Sequence, residues 1–126
     1  MKEHARIIPG DRISALGYTF TVWIILYQDC YDGIYDVEFL DDRNCYHHWK
    51  QQYDGGTVDL SGTPGQYYHN PNDRSRIACI RESRKPGTYT ARIIDLRGNE
   101  TYLGRYSSIP SALKRLDNTG AEWRQM

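Results

Sequence analysis

The first half of the chain alternates apolar and polar positions with a period of two. The second half does so in three shorter pieces and then changes to a 3.6-residue stripe. From Ile7 to Leu60, turn signals punctuate β-rich runs. Ile8-Pro9-Gly10-Asp11-Arg12-Ile13 turns into a strand. Leu16-Gly17 precedes the run 18–28, Asp32-Gly33 precedes 34–40, and Asp41-Asp42-Arg43-Asn44 precedes 45–51. Asp54-Gly55-Gly56 leads to a last short strand, 57–60. Short strands with regularly spaced turns predict a small β-barrel with Val22, Ile24, Val37, Phe39 and Trp49 in its core.

Strands are predicted again over 76–81, 89–95 and 101–106, the last two joined by a turn at Arg97-Gly98-Asn99. Ser107 or Ser108 then caps a helix with Pro110 in its first turn, where the missing N–H is harmless. Ile109, Ala112, Leu113 and Leu116 form one apolar stripe, and Asn118 and Gly120 are placed to end the helix. A helix with one stripe covers one face of a sheet and leaves the other open. With Ala91 and Ile93 turned towards the helix, Thr90, Arg92 and Ile94 face away, joined by Glu100, Tyr102 and Arg105 from the next strand. Ser61–Asn72, rich in Gly, Pro, Asn and Ser, reads as a linker in which Tyr67 and Tyr68 dock on one half. Trp123 is expected against a core. The expectation is mainly β (α+β): an SH3-like small barrel over 1–60, a linker over 61–73, and a three-stranded antiparallel sheet with one C-terminal helix over 74–126.

Charge sharpens the division. Residues 1–60 hold five Lys/Arg against ten Asp/Glu, and residues 61–126 hold eleven against six, so a net charge of zero hides halves of −5 and +5. The halves therefore favour different partners or each other. No apolar run is long enough for a membrane helix and no secretion signal follows the amino end; three cysteines at unpatterned spacing suit a reducing cytoplasm. Cys45, His47 and His48, with Cys30, are the nearest approach to a metal set, but adjacent strand residues point to opposite faces, so no metal is expected. Phosphate-loop, nucleophile-elbow, zincin and dinucleotide patterns are all missing, so neither catalysis, a cofactor nor a small-molecule substrate is expected.

The order Tyr89-Thr-Ala-Arg-Ile-Ile-Asp95, Tyr102-Leu-Gly-Arg-Tyr106 and Ser108-Ile-Pro-Ser-Ala-Leu113 resembles the APETALA-type DNA-binding domain and the arm-binding domains of phage and transposon integrases. The resemblance covers about a third of the chain. It implies a three-stranded sheet lying in the major groove of duplex DNA, with Arg92 and Tyr102 at groove-contacting positions and Leu103-Gly104 at the strand-to-helix corner. Ile94 and Glu100 depart from the family, which usually has basic residues there. Together with the basic turns, the reading is nucleic-acid binding by Arg92, Tyr102 and Arg105, with phosphate contacts from Arg81, Arg84, Lys85 and Arg97, in an accessory or regulatory protein of a bacterial mobile element. Gly10-Asp11-Arg12-Ile13 and Tyr35-Asp-Val-Glu-Phe-Leu-Asp41 similarly resemble SH3-like barrels of the Tudor and KOW type.

The acidic half supports an alternative of another class. Asp29, Asp32, Asp36, Glu38, Asp41 and Asp42 cluster, and like charges are best tolerated when a basic partner faces them. With Tyr31 and Tyr35 as anchors, this surface suits a protein-binding inhibitor or adaptor, for example an anti-CRISPR protein set on the basic channel of a nuclease. Tyr27, Tyr31, Tyr35, Phe39 and Tyr46 invite an aromatic-cage reading, but tyrosine is an ordinary half-buried strand residue and the chain has eleven.

Overall fold

The computed structural model describes residues 6–52 and 57–126. The expected turn at Asp54-Gly55-Gly56 lies outside them. The chain forms two compact units, Met1–Pro64 and Gly65–Met126. Residues 61–64 carry no charge, so the units keep the −5 and +5 of the two halves.

In the first unit, β1 (Arg12–Ala15), β2 (Tyr18–Tyr31), β3 (Ile34–Asp41), β4 (Tyr46–Gln52) and β5 (Thr57–Asp59) build one antiparallel sheet in the order β4-β3-β2-β1-β5. Among the described residues the sheet is not closed by pairing of its two outer strands. β2 runs three residues further than its apolar pattern suggested, because Asp32-Gly33 lets β2 and β3 pair up to the turn. Asp32 (φ 50°) and Gly33 (φ 74°) both adopt the left-handed conformation that a two-residue hairpin of right-handed twist requires, as do Leu16 (φ 54°) and Gly17 (φ 81°). Register shifts between Val22 and Ile24 and between Ile25 and Tyr27 bend β2. Val22, Ile24, Val37, Phe39 and Trp49 are buried, together with Ile7, Ile13, Ile25 and Leu40.

Asp11, fully buried, ties this unit together. Its Oδ2 accepts from the Ile8 N–H at 2.8 Å and its Oδ1 from the Gly62 N–H at 2.9 Å. Its own carbonyl accepts from Val22, whose carbonyl in turn accepts from Gly10. At Gly62 a Cβ would meet the Pro9 carbonyl at 2.6 Å, so only glycine allows this approach.

In the second unit, β6 (Gln66–Asn70), β7 (Asp73–Glu82), β8 (Tyr89–Asp95), β9 (Glu100–Tyr106) and β10 (Arg124–Gln125) form an antiparallel sheet in the order β10-β6-β7-β8-β9. The sheet therefore has five strands where three were expected. The segment assigned to the linker supplies β6: its Pro and Gly lie outside Gln66–Asn70, whose alternation buries Tyr68 on one face and Tyr67 on the other. The tail supplies the short β10.

Helix α1 (Ile109–Asp117) starts where Ser108 Oγ accepts from the Ser111 N–H, carries Pro110 in its first turn, and ends at Asn118. Ala112 and Leu116 are buried against Tyr68, Ala78, Ile80, Ala91 and Ile93, with Ile109, Leu113, Leu103 and Trp123 packed around them. The Trp123 indole N–H donates to Thr119 Oγ1 at 3.1 Å.

Candidate functional site

α1 occupies the face of the second sheet that carries Ala78, Ile80, Ala91 and Ile93. Alternation turns Arg81, Arg92, Ile94 and Glu100 to the opposite face. A β-bulge decides what accompanies them. Arg92 pairs with Tyr102 and Ala91 with Gly104, so Leu103 is the extra residue and Arg105 comes opposite Thr90, on the Arg92 side.

The structure brings Arg81, Arg92 and Tyr102 together around Glu100. Arg92 Nη1 lies 3.1 Å from Glu100 Oε2, and Arg81 Nη2 lies 3.5 Å from Glu100 Oε1. The Arg92 guanidinium also sits over the Tyr102 ring, 5.2 Å from its centroid. Both arginine side chains are only about a quarter exposed or less, at 24% and 21%. Arg92 Nε is buried with no hydrogen-bond partner among the described residues. Two of the cations expected at the nucleic-acid face thus share one carboxylate.

This face is not wholly free, as its pattern suggested. Ile77 and Cys79 on β7 are buried, and Cys79 lies in register between Tyr67 and Arg92. Burial pushes the Cys79 thiol up to about 11, which keeps it neutral and unreactive. The accessible part is the β8–β9 side, where Tyr102 is 55% exposed.

Arg84, Lys85, Arg97 and Arg105 are exposed and lie apart from the central group. Arg84 and Lys85 occupy the β7–β8 turn, braced where Thr88 Oγ1 donates to the Lys85 carbonyl at 2.7 Å. Arg97 occupies the β8–β9 turn, where Asp95 accepts from the Arg97 and Asn99 N–H groups, each at 2.9 Å. Those bonds, with Asn99 contributing most, hold the Asp95 carboxyl below its usual value. At roughly 3.3 Å per residue, the strand between the two turns separates the basic ends by about 20 Å. Arg84, Lys85 and Arg105 make no ion pair among the described residues.

The acidic residues of the first unit prove to be engaged locally. Asp41 is buried, accepts from the Arg43 and Cys45 N–H groups at 2.8 and 2.9 Å, and has His47 Nε2 2.7 Å from its other oxygen. Asp36 has His48 Nε2 at 2.6 Å and accepts from the Tyr31 hydroxyl at 3.2 Å; the His48 contact does most to lower its carboxyl pKa. The Tyr46 hydroxyl donates to Glu38, and Asp29 accepts from the Cys30 N–H at 2.8 Å. Asp32 and Asp42 are exposed. Tyr35 stacks on Trp49 with centroids 5.9 Å apart, on the inner side of the sheet, while register places Tyr27, Tyr31 and Tyr46 on the outer side. These rings do not converge as a cage.

His47 packs inward between Phe20 and Phe39, at 4.1 and 5.1 Å, while His48 points outward to Asp36. Among the described residues no three His, Cys, Asp or Glu are grouped to hold a metal, and no helix is long and apolar enough to cross a membrane.

Sequence reasoning missed the sharing of Glu100 by Arg81 and Arg92. Glu100 was visible as a departure from the family pattern, but its sharing depends on Arg81 and Arg92 being brought alongside it by the pairing of three strands. Searches found no matching protein-family model, curated protein or solved structure for this chain.

Proposed function

We propose that the second unit binds nucleic acid, most simply duplex DNA, and that the protein serves as a non-enzymatic accessory or regulatory factor of a bacterial mobile element. The observation that carries this reading is a sheet backed by a helix on one face, with Arg81, Arg92, Tyr102 and Arg105 on the other and the exposed cations Arg84, Lys85 and Arg97 at its two ends. In this reading Arg81 and the turn cations hold phosphates and fix the register, while Arg92 leaves Glu100 and, with Tyr102, meets base edges. The first unit is read as SH3-like, a description its bent β2, shared between β1 and β3, supports.

The test is a fluorescence-anisotropy titration of the full chain with labelled duplexes across a salt series. Neutralising about four phosphates gives a slope of log K against log salt of roughly −3 to −4. Lys85→Ala lowers affinity for every sequence alike and flattens that slope by about one, whereas Arg92→Ala narrows the difference between preferred and random duplexes. Absence of binding at the lowest salt overturns the proposal.

A further inference from the structure

Across β8 and β9 the open face of the second sheet is ordered in rows. Thr90 stands opposite Arg105, Arg92 opposite Tyr102, and Ile94 opposite Glu100. Thr90 and Arg92 are neighbours on that face of β8, whereas Leu103 and Gly104 both intervene between Tyr102 and Arg105 on β9. Leu103 packs with the core on the helix side, and Gly104, at φ 119°, has no side chain. Between Tyr102 and Arg105, β9 therefore sends nothing onto the open face, and the two side chains flank a slot floored by backbone. Two residues of β8 span the slot, a length of about 6.6 Å. A flat ring stacked between two others needs about 6.8 Å, twice the spacing of stacked bases.

The walls of the slot suit such a ring. Arg92 covers one face of the Tyr102 ring, 5.2 Å from its centroid, and Arg92 Nη1 is 3.1 Å from Glu100 Oε2. The guanidinium thus approaches from the Glu100 side. The ring face towards Arg105 is left to account for Tyr102 being 55% exposed. Arg105 is itself exposed and in no ion pair among the described residues, so its planar guanidinium can form the second wall. Tyrosine rings and arginine planes are both surfaces on which bases stack.

We propose that this slot takes one unpaired nucleobase, stacked on Tyr102 and covered by Arg105, so that the nucleic acid bound best carries a base outside its paired stack. A paired base offers its edges to a groove and keeps its faces for its neighbours; an unpaired base can present a face to Tyr102. The charges around the slot select a nucleotide over an aromatic side chain of another protein. Thr90 and its partner Arg81 border the β7–β8 turn, so the Arg105 end of the slot lies towards Arg84 and Lys85, both exposed and in no ion pair among the described residues. Glu100 sits beyond Tyr102 at the other end and is engaged by Arg81 and Arg92, while Glu82 alternates to the helix side. Phosphates flanking the stacked base thus meet cations. The inference rests on nucleic-acid binding by the second unit and narrows its ligand.

The test compares, by fluorescence anisotropy, the affinity of the full chain for a labelled duplex and for the same duplex with one unpaired adenine bulged out. The unpaired adenine should raise affinity about tenfold. Free dAMP, which has the base but a single phosphate, should compete at least a hundredfold more weakly than the bulged duplex. Tyr102→Leu should bring the ratio of the two duplex affinities close to one, whereas Tyr102→Phe should preserve it, because stacking needs the ring and not the hydroxyl. Equal binding of the two duplexes, or a ratio unmoved by Tyr102→Leu, would overturn the slot while leaving nucleic-acid binding in place. Competition by dAMP as strong as by the bulged duplex would make the site one for free nucleotides and overturn it as well. Absence of binding to either duplex at the lowest salt would remove the nucleic-acid reading and this inference together.

Discussion

Among the described residues the two units have the same strand count; their charge is opposite, and they dispose of it differently. In the first, carboxylates are absorbed by local structure: Asp11 by backbone N–H groups, Asp41 by a turn and His47, Asp36 by His48 and Tyr31, Glu38 by Tyr46, and Asp59 by Arg12. In the second, Arg81 and Arg92 share Glu100, Arg76 pairs with Asp73 and Arg124 with Glu122, yet Arg84, Lys85 and Arg105 remain unpaired among the described residues. A net charge of five in either sense therefore says little about where a partner binds. What counts is the charge left over after the chain has satisfied itself. By that measure the basic unit has spare charge at its turns, while the acidic unit has spent much of its own on architecture.

The most forceful way to break this contrast is to remove the carboxylate with the clearest structural task. Asp11→Ala strands the part-buried Ile8 N–H and the buried Gly62 N–H, the latter 51 residues from Asp11 in sequence. The expected loss is about 3 kcal/mol, read as a lower urea midpoint by tryptophan fluorescence. If the midpoint stays where it is, the acidic residues are not architectural, and the excess charge of the first unit again demands an outside partner.

A smaller effect sharpens the contrast from the basic side. Glu100→Gln frees Arg81 and Arg92 together and removes a negative charge from the proposed DNA face. Duplex affinity at low salt should rise about tenfold, with a steeper salt slope by one to two. Stability should fall by at most about 1 kcal/mol, since Glu100 is 36% exposed and pairs at the surface are weak. Unchanged affinity would mean that the Arg92 face does not meet DNA and that only the turn cations remain as candidates.

The elements that declared themselves in the sequence were those with local causes. The helix was legible because Ser108, Pro110 and the Ile109–Ala112–Leu113–Leu116 stripe act within a few turns of one another. The strands around Val22, Ile24, Val37 and Phe39 were legible for the same reason. What escaped depended on distant partners. β6 looked like linker because two aromatic residues flanked by Gly, Pro and Asn become a strand only when β7 is present to pair with them. The burial of Asp11 depends on Gly62, and the engagement of Asp36 and Asp41 depends on which face of β4 each histidine takes. Residue types at the candidate site were readable from the period of two. Their mutual neutralisation was not, because it depends on β7 pairing with β8 so that Arg81, Arg92 and Glu100 meet across three strands.

The smallest expected effect tests whether the two units also lose their carboxylate interactions differently in acid. Burial alone would raise the Asp41 carboxyl, but the hydrogen bond to His47 and those from the Cys45 and Arg43 N–H groups outweigh it and hold the group below its usual value. A carboxyl whose folded pKa lies below its unfolded value contributes its full stabilisation above the unfolded value, near 4. That stabilisation is lost as pH falls through the folded value, because the unfolded chain then binds more protons. Asp36 has the same sign, with His48 as its main cause, and in the second unit so do Asp73 and Asp95, held by Ser75 and Asn99. Asp41→Asn keeps one acceptor for the turn but leaves His47 facing an amide, so it should cost about 1 kcal/mol near neutrality. Its melting temperature should then fall less steeply than that of the wild type below about pH 4. Asp95→Asn, on a more exposed turn, should change the acid limb less. Parallel acid limbs for wild type and Asp41→Asn would show that the buried turn of the first unit carries no more of the acid sensitivity than the open turns of the second.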